Sequence, residues 1–520
     1  MTAASGGIRS PGAPPSGWPR CVEVPPGPVP YCDGVRFAPY DRCLQHLDSA
    51  QLRDALSRLA PGSDIDVRGT TFAERLLRAV VDAVRDPQGI SVFGSVRFDS
   101  AVFAGAAPFT SAQFAGDARF DSARFWHDAS FAAARFTADA VFDGALFKAG
   151  VTFRDAAVDG DAVFAGAEFS AGAALGPLTA AGRLILDEAA FSRPVTVQAT
   201  AAAVSARGTS FSGATLLLRR AAVVIDGATS AAPLLIAAAP ASASHGPPGP
   251  VPELASMHDV DASFVSLVNV SMVGCRFAGA YNLDQLRFEG SDCRFAGPPA
   301  RLSTRPPFAV LHNSRRQVLA EEWDWRSRRR RFPWRVPPGQ PRQPLEPERI
   351  LSLYRQLRKA QEDAKNEPGA ADFYYGEMEM RRHAATTAAG EKLVLALYWA
   401  SSGYGLRATR ALAALAVVLA AATIAFVTVG FAPSQVTEYV PALARHPGAA
   451  GTYQLVTANG PRPGWLDALF YSLNSSTSLL SVTQQEQLTG TGSVVQILLR
   501  LLGPLFVGLA LLAIRNRVKR

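Results

Sequence analysis

The chain has 520 residues, enough for two to four domains that each bury a core, and a formal charge of +8 from 52 basic and 44 acidic residues. The basic surplus is local, sitting in an arginine run near residues 326–335 and beside the last apolar segments, which favours an anionic membrane surface over nucleic acid as its partner. Five cysteines, behind a Pro/Gly-rich start with no apolar leader, argue against a secreted disulfide framework and predict reduced thiols in the cytoplasm.

Residues 1–40 are read as disordered on their Pro/Gly content. Within and just after them, Cys21, Cys32, Cys43 and His46 offer four zinc ligands in a small knot. Their ten-residue gaps are looser than usual zinc spacing, so the sequence assigns no metal and no cofactor there. Residues 41–90 hold two amphipathic helical stretches, suited to cap the repeat that follows.

The strongest signal is a phenylalanine ladder: Phe98, Phe103, Phe109, Phe114, Phe120, Phe125, Phe131, Phe136, Phe142, Phe147, Phe153, Phe164 and Phe169, with Val158 in the one gap. The steps alternate five and six residues, and a small or β-branched side chain stands two residues before each ring, from Val96 and Ala101 to Ala162 and Ala167. A 3.6-residue period would scatter these rings around a helix. A ribbon that turns a corner after every face points one large and one small residue inward per face. Four faces give 22 residues per coil, so Phe98, Phe120, Phe142, Phe164 and Leu186 form one column. Phe103, Phe125, Phe147, Phe169 and Phe191 form a second, and Phe109, Phe131, Phe153, Leu175 and Val197 a third, with coils about 4.8 Å apart. The expected fold is mainly β with α: a right-handed quadrilateral β-helix over 91–300, interrupted by a Pro/Ala loop near 237–255. It resumes at Phe264, Met272, Phe277, Leu283 and Phe288 and is read as one solenoid.

This ladder resembles the pentapeptide-repeat family, whose unit is a central Leu or Phe with Ala two residues before it, in its Phe-rich five/six-residue variant. The string YRQLRKAQEDAKNEPGAADFYYGEMEMRR, followed by GYGLRATR, resembles the linker of membrane-anchored members from GC-rich bacteria. The resemblance implies an architecture and supplies no established activity. Some members of the family are acidic and mimic DNA. Residues 91–210 carry twelve acidic against nine basic residues, too weak a charge for mimicry, and no nucleic acid is expected as a partner.

Residues 301–345 read as a basic, aromatic linker in which Arg326, Arg328, Arg329, Arg330, Arg331 and Arg335 alternate with Trp323, Trp325, Phe332 and Trp334. Arg328, Arg329, Arg330, Arg331 and Trp334 are candidate contacts to anionic lipid, since Trp sits at headgroup depth and Arg meets phosphate; a solvated linker face and, less favoured, a single-stranded nucleic-acid contact are the alternatives. Residues 346–405 are amphipathic helices, with Ile350, Leu353, Tyr354 and Leu357 on one face. Residues 406–520 form a membrane module with spans at 411–431 and 493–514, a two-helix hairpin. Lys392, Arg407 and Arg410 precede the first span and Arg515, Arg517, Lys519 and Arg520 follow the second, which places both termini in the cytoplasm. Arg500 lies inside the second span, where it either snorkels to the outer headgroups or pairs with Asp467 or Glu486.

Between the spans, 465–482 reads as a re-entrant or interfacial segment, a plan faintly like two-helix potassium-channel pores. Ser475, Ser476, Thr477, Ser478 and Leu479 stand where a Thr-Val-Gly-Tyr-Gly filter would, so potassium selectivity by carbonyl coordination is unsupported. There is no phosphate-binding glycine loop, HExxH, GxSxG or CxxC, and the Glu379/His383 pair has a spacing that exposed helix faces produce often. The expected function is a non-enzymatic scaffold that presents the β-helix in the cytoplasm. Its expected partners are the cytoplasmic membrane, an unidentified protein, and further copies through the membrane module. A two-helix pore-loop, channel-like module regulated by the β-helix is the alternative.

Overall fold

The computed structural model describes residues 17–23, 32–240, 250–298, 301–303, 310–312, 316–328, 334, 344–432, 435–441, 453–459, 463–477 and 488–518. The chain divides into two compact units, 1–364 and 365–520.

The first unit is a parallel β-solenoid of about nine coils. Strands of mostly two residues repeat four to a coil: Val102–Phe103, Ala107–Pro108, Gln113–Phe114 and Ala118–Arg119 make one coil, and Arg124–Phe125 opens the next. Val102 pairs with Arg124, Ala107 with Ala129, Gln113 with Arg135 and Ala118 with Ala140, a register of 22 residues on all four faces. Further along the coil tightens: Ala190 pairs with Ser210 and Ser210 with Thr229, steps of 20 and 19.

The rings fill the interior as stacked columns. Phe98, Phe120, Phe142 and Phe164 follow one another at 5.0, 4.8 and 5.1 Å between centroids, none more than 10° from parallel. Neighbouring columns meet edge to face, as Phe120 does with Phe131 at 5.5 Å and 83°. Both arrangements suit the aromatic quadrupole, and they leave the thirteen ladder rings from Phe98 to Phe169 essentially fully buried. Corners use left-handed backbone: Ser100, Ser111, Ser122, Ala133, Gly144, Asp155 and Gly166, spaced every 11 residues, all have φ between 55° and 63°. This conformation strains any residue with a Cβ, and Gly144 and Gly166 adopt it without that cost.

The solenoid starts earlier than residue 91. Ser63–Asp66 pairs with Val92–Arg97, and Thr71–Phe72 with Val102–Phe103, so a first coil precedes the ladder. A helix inserted after Phe72, Glu74–Ala83 (α2, following α1, Ser49–Ser57), lengthens that coil and hides its period; Leu77, Val80 and Val81 of α2 are buried. The Pro/Ala loop does not divide the fold, since Ala222 pairs with Glu253 and Leu234 with Val265 across it. Phe264 departs from expectation: it is 42% exposed, and Ala262 and Val265 take the interior positions beside it.

The far end is closed by two helices that the sequence places in a linker and beyond it: Ala320–Ser327 (α3) and Pro347–Asp363 (α4). Ile350, Leu353, Tyr354 and Leu357 of α4 are buried. Lys359 Nζ lies 2.6 Å from Asp284 Oδ2, and the Leu283 N–H donates to Gln356 Oε1 at 3.2 Å, which ties α4 to the last coil.

In the second unit Glu367–His383 (α5) and Ala389–Ser402 (α6) lead into Ala408–Ala425 (α7), prolonged by a π-helical turn, Phe426–Gly430. An antiparallel strand pair, Gln435–Pro441 with Tyr453–Asn459, precedes Trp465–Thr477 (α8) and Gly490–Val518 (α9).

Candidate functional site

Of the segment read as disordered, 17–23 and 32–40 are folded into a knot, whereas 1–16 and 24–31 lie outside the described residues. An antiparallel bridge joins Arg20 to Val35, and Cys21 N–H donates to the Gly34 carbonyl at 2.8 Å, which sets Cys21 beside Cys32 despite ten intervening residues. Cys43 and His46 stand three apart on a 3₁₀ turn, where residues at that spacing eclipse, and Cys43 Sγ lies 3.4 Å from His46 Nδ1. The same nitrogen is 3.4 Å from Cys21 Sγ, and Cys32 Sγ is 3.8 Å from Cys43 Sγ. All three cysteines are buried and free of disulfides. A Cβ on Gly34 would stand 2.7 Å from Cys43 Cβ and 2.8 Å from its Sγ, so only glycine lets this strand approach the cluster. The Cys32–Cys43 contact splits the two thiols: as acceptor Cys32 is drawn well below the usual thiol range, and Cys43, by the same contact and by burial, is pushed up.

Much of the arginine–tryptophan run is spent on packing. Trp325 and Arg326 are buried in α3, Trp323 meets Trp334 edge to face at 4.6 Å, and the Arg326 guanidinium lies 5.2 Å from the Trp334 ring. Trp334 is thus a packing residue in addition to a lipid candidate. Arg328 is exposed at the end of α3; Arg329, Arg330 and Arg331 lie outside the described residues.

Two adjacent glutamates, which the sequence reading passed over, occupy the centre of this cap. Glu322 is fully buried and accepts from Arg316, Arg326 and the Tyr354 hydroxyl. Burial would raise its carboxyl, but the two guanidiniums hold it down at about 2. Glu321 turns the other way and accepts the N–H groups of Phe277 and Ala278 at 2.5 and 3.0 Å, where a further coil would otherwise supply acceptors. Burial pushes it up to about 7 against those donors and Arg276.

In the second unit two helices, Ala408–Gly430 and Gly490–Arg515, are long and apolar enough to cross a membrane, and only 11% and 28% of their apolar windows are buried. Each begins three residues before the sequence-based span, the first ending one residue short of it and the second one residue past it. Between them α8 packs on both: Phe426, Phe431 and Tyr471 form a ring cluster at 5.0–5.6 Å, and Gln496 Nε2 donates to the Tyr471 hydroxyl at 2.6 Å. A Cβ on Gly492 would meet the Gly430 carbonyl at 2.1 Å, and one on Gly503 the Ser476 carbonyl at 2.4 Å, so glycines set how closely these elements pack. Arg500 is half-buried on α9. Asp467, one of its suggested partners, caps α8 by accepting the Gly464 N–H at 2.9 Å, and Glu486 lies outside the described residues, as do 478–482. Glu379 pairs with Arg382 and accepts from the Tyr404 hydroxyl, which ties α5 to the residues after α6.

At the foot of α7, Arg382 and Arg410 lie over the Trp399 ring at 4.6 and 4.9 Å, and Arg407 over Tyr375 at 5.3 Å. Leu393, Val394 and Leu397 of α6 are more than 60% exposed. The basic–aromatic cluster is not legible in the sequence because its arginines are separated from the aromatics they cover.

Comparison with protein-family models, with curated proteins and with solved structures finds no match to this chain. Its own architecture defines its class: a parallel β-solenoid with a phenylalanine core, followed in sequence by two candidate membrane helices.

Proposed function

We propose that this chain is a non-enzymatic, membrane-tethered scaffold of pentapeptide-repeat type. In this reading the β-solenoid lies in the cytoplasm, both termini are cytoplasmic, and anionic lipid, a protein partner and further copies of the chain are its contacts. The observation that carries the reading is the exposure of the two apolar helices: a soluble core helix of that length would be buried, and these are not. Basic residues before the first apolar span and after the second, and few between them, favour the stated orientation. The exposed Leu393, Val394 and Leu397 of α6, and the Arg407 and Arg410 that follow at the start of α7, are residue types that suit a bilayer interface, where apolar groups enter and guanidiniums meet phosphate. The solenoid's large side chains are consumed by its own stack, which leaves its surface for recognition.

Reporter fusions test the orientation. A cytoplasm-active reporter after Arg520 should be active and the same reporter inserted near Pro447 inactive; the reverse pattern removes the reading. A second reading, a pore module regulated by the solenoid, is favoured by α8, a short helix held between the two spans as a re-entrant helix would be. Ion flux in liposomes carrying the full chain separates the two: flux supports the pore, and tight liposomes support the scaffold.

A further inference from the structure

The geometry points to a structural zinc site, formed by Cys21, Cys32, Cys43 and His46, that staples the N-terminal knot to the first coil of the solenoid. Tetrahedral zinc at about 2.3 Å from sulfur and about 2.05 Å from nitrogen sets its ligands about 3.8 Å apart for a sulfur–sulfur edge and about 3.5 Å for a sulfur–nitrogen edge. The Cys32–Cys43 edge is 3.8 Å, and both edges from His46 Nδ1, to Cys21 and to Cys43, are 3.4 Å. All four ligand atoms lie within 4.8 Å of one another, so they enclose one ion and not a polynuclear cluster. Three thiolates and an imidazole are the borderline-soft donors that zinc prefers over magnesium or calcium.

The surroundings are those of a closed site. Four protein ligands complete the coordination and leave no position for substrate, which makes the metal structural. Gly34 N–H points at Cys32 Sγ at 3.4 Å and supplies an outer hydrogen bond to one thiolate. Ligation through Nδ1 requires the His46 proton on Nε2. The three thiols release their protons as the metal enters. Without an ion, three sulfurs and a nitrogen would crowd one buried volume with no cation to hold them together.

The knot sits against the start of the solenoid: Val35 N–H donates to the Arg68 carbonyl at 2.8 Å, and Arg68 lies 4.8 Å from the Trp18 ring. Zinc would therefore fix the cover on the open end of the ring stack, a task that solenoids assign to capping segments.

The test uses the full chain, purified in detergent without chelator from cells supplied with zinc. Elemental analysis should find about one zinc per chain. Cobalt exchanged into the same protein should give an intense tetrahedral d–d spectrum with thiolate-to-cobalt charge transfer. Cys43→Ser should lose the metal, while Cys275→Ser and Cys293→Ser, remote in sequence, should retain it. The cobalt spectrum is read on the unaltered chain, so it stands even if Cys43→Ser fails to fold. Metal-free protein that takes up no cobalt, a cobalt spectrum without thiolate bands, or a Cys32–Cys43 disulfide in protein isolated under reducing conditions would each overturn the assignment.

Discussion

Phe103 and Phe125 lie face to face, their ring centroids 4.4 Å apart and 4° from parallel, and Phe147 continues the column at 4.8 Å and 7°. The backbone strands that carry them pair at the same 22-residue offset, so side-chain stacking and strand hydrogen bonding enforce one register. Replacing Phe125 with Asp would bury an unpaired carboxylate between two rings, and the loss should be several kcal/mol. Phe125→Leu keeps the site apolar and should destabilise by about 1–2 kcal/mol through lost stacking and a small void. An unchanged melting temperature for the Asp variant would contradict the column.

Corners give a prediction of opposite sign. Ala133 has φ of 55°, a left-handed conformation that strains any residue with a Cβ, and its 11-residue neighbour Gly144 has φ of 63°. Ala133→Gly should relieve up to about 1 kcal/mol of strain, offset in part by the greater freedom of glycine in the unfolded chain. Gly144→Val, which puts a β-branched residue at the equivalent corner, should lower the melting temperature. Parallel melts of the two variants check both signs, and stabilisation by the valine would refute the corner assignment.

The ladder was legible because a buried ring must recur at each coil, and Phe98 to Phe169 do so with Val158 as the one gap. Phe72 was not, because α2 separates it from Phe103 by more than one regular coil although the two rings stack at 5.5 Å. Glu321 and Glu322 escaped for a different reason. A carboxylate that ends a solenoid looks, in sequence, like any polar residue on a helix, and only the orphaned N–H groups of Phe277 and Ala278 reveal its task. The thiol cluster was visible as residue types; its ten-residue gaps concealed the Arg20–Val35 bridge that closes them.

The adjacent glutamates make the cap pH-sensitive in two directions. Glu321 is raised to about 7, so its protonated form is favoured by folding; that stability is full below about pH 4.5 and is lost as pH rises through 7. Glu322 is held at about 2, so its contribution is full above about pH 4.5 and is lost as pH falls toward 2. The contribution of this pair to the thermal stability of the solenoid should therefore peak near pH 4.5. A shift of Glu321 from about 4.5 to about 7 corresponds to roughly 3 kcal/mol between pH 4 and pH 8. Glu321→Gln keeps the acceptor for Phe277 and Ala278 and removes the charge, so it should flatten the alkaline limb and leave the acid limb intact. Melting curves at pH 5 and pH 8 decide it: an equal alkaline loss in the variant would assign that limb to another group.

Arg326, held in the cap, and the arginines that follow it in sequence should respond differently to substitution. Arg326 Nε lies 2.6 Å from Glu322 Oε1 with both side chains at most 10% exposed. Arg326→Gln leaves a buried carboxylate with one guanidinium fewer, a loss of about 3–5 kcal/mol by analogy with other broken buried pairs, and should lower the melting temperature of the first unit. Arg328, Arg329, Arg330 and Arg331 follow the helix. If they meet the inner leaflet, each adds about 1 kcal/mol of attraction to anionic lipid, screened over about 8 Å at physiological salt. Changing all four to Gln should leave the melting temperature within about 1 kcal/mol of the parent while reducing the share of anionic lipid retained by the full chain in mixed nanodiscs. That retention should fall with salt in the parent and become nearly salt-independent in the variant. Unchanged anionic-lipid retention in the fourfold variant would assign the electrostatic contact to Arg407 and Arg410 at the foot of α7, where each guanidinium lies over an aromatic ring.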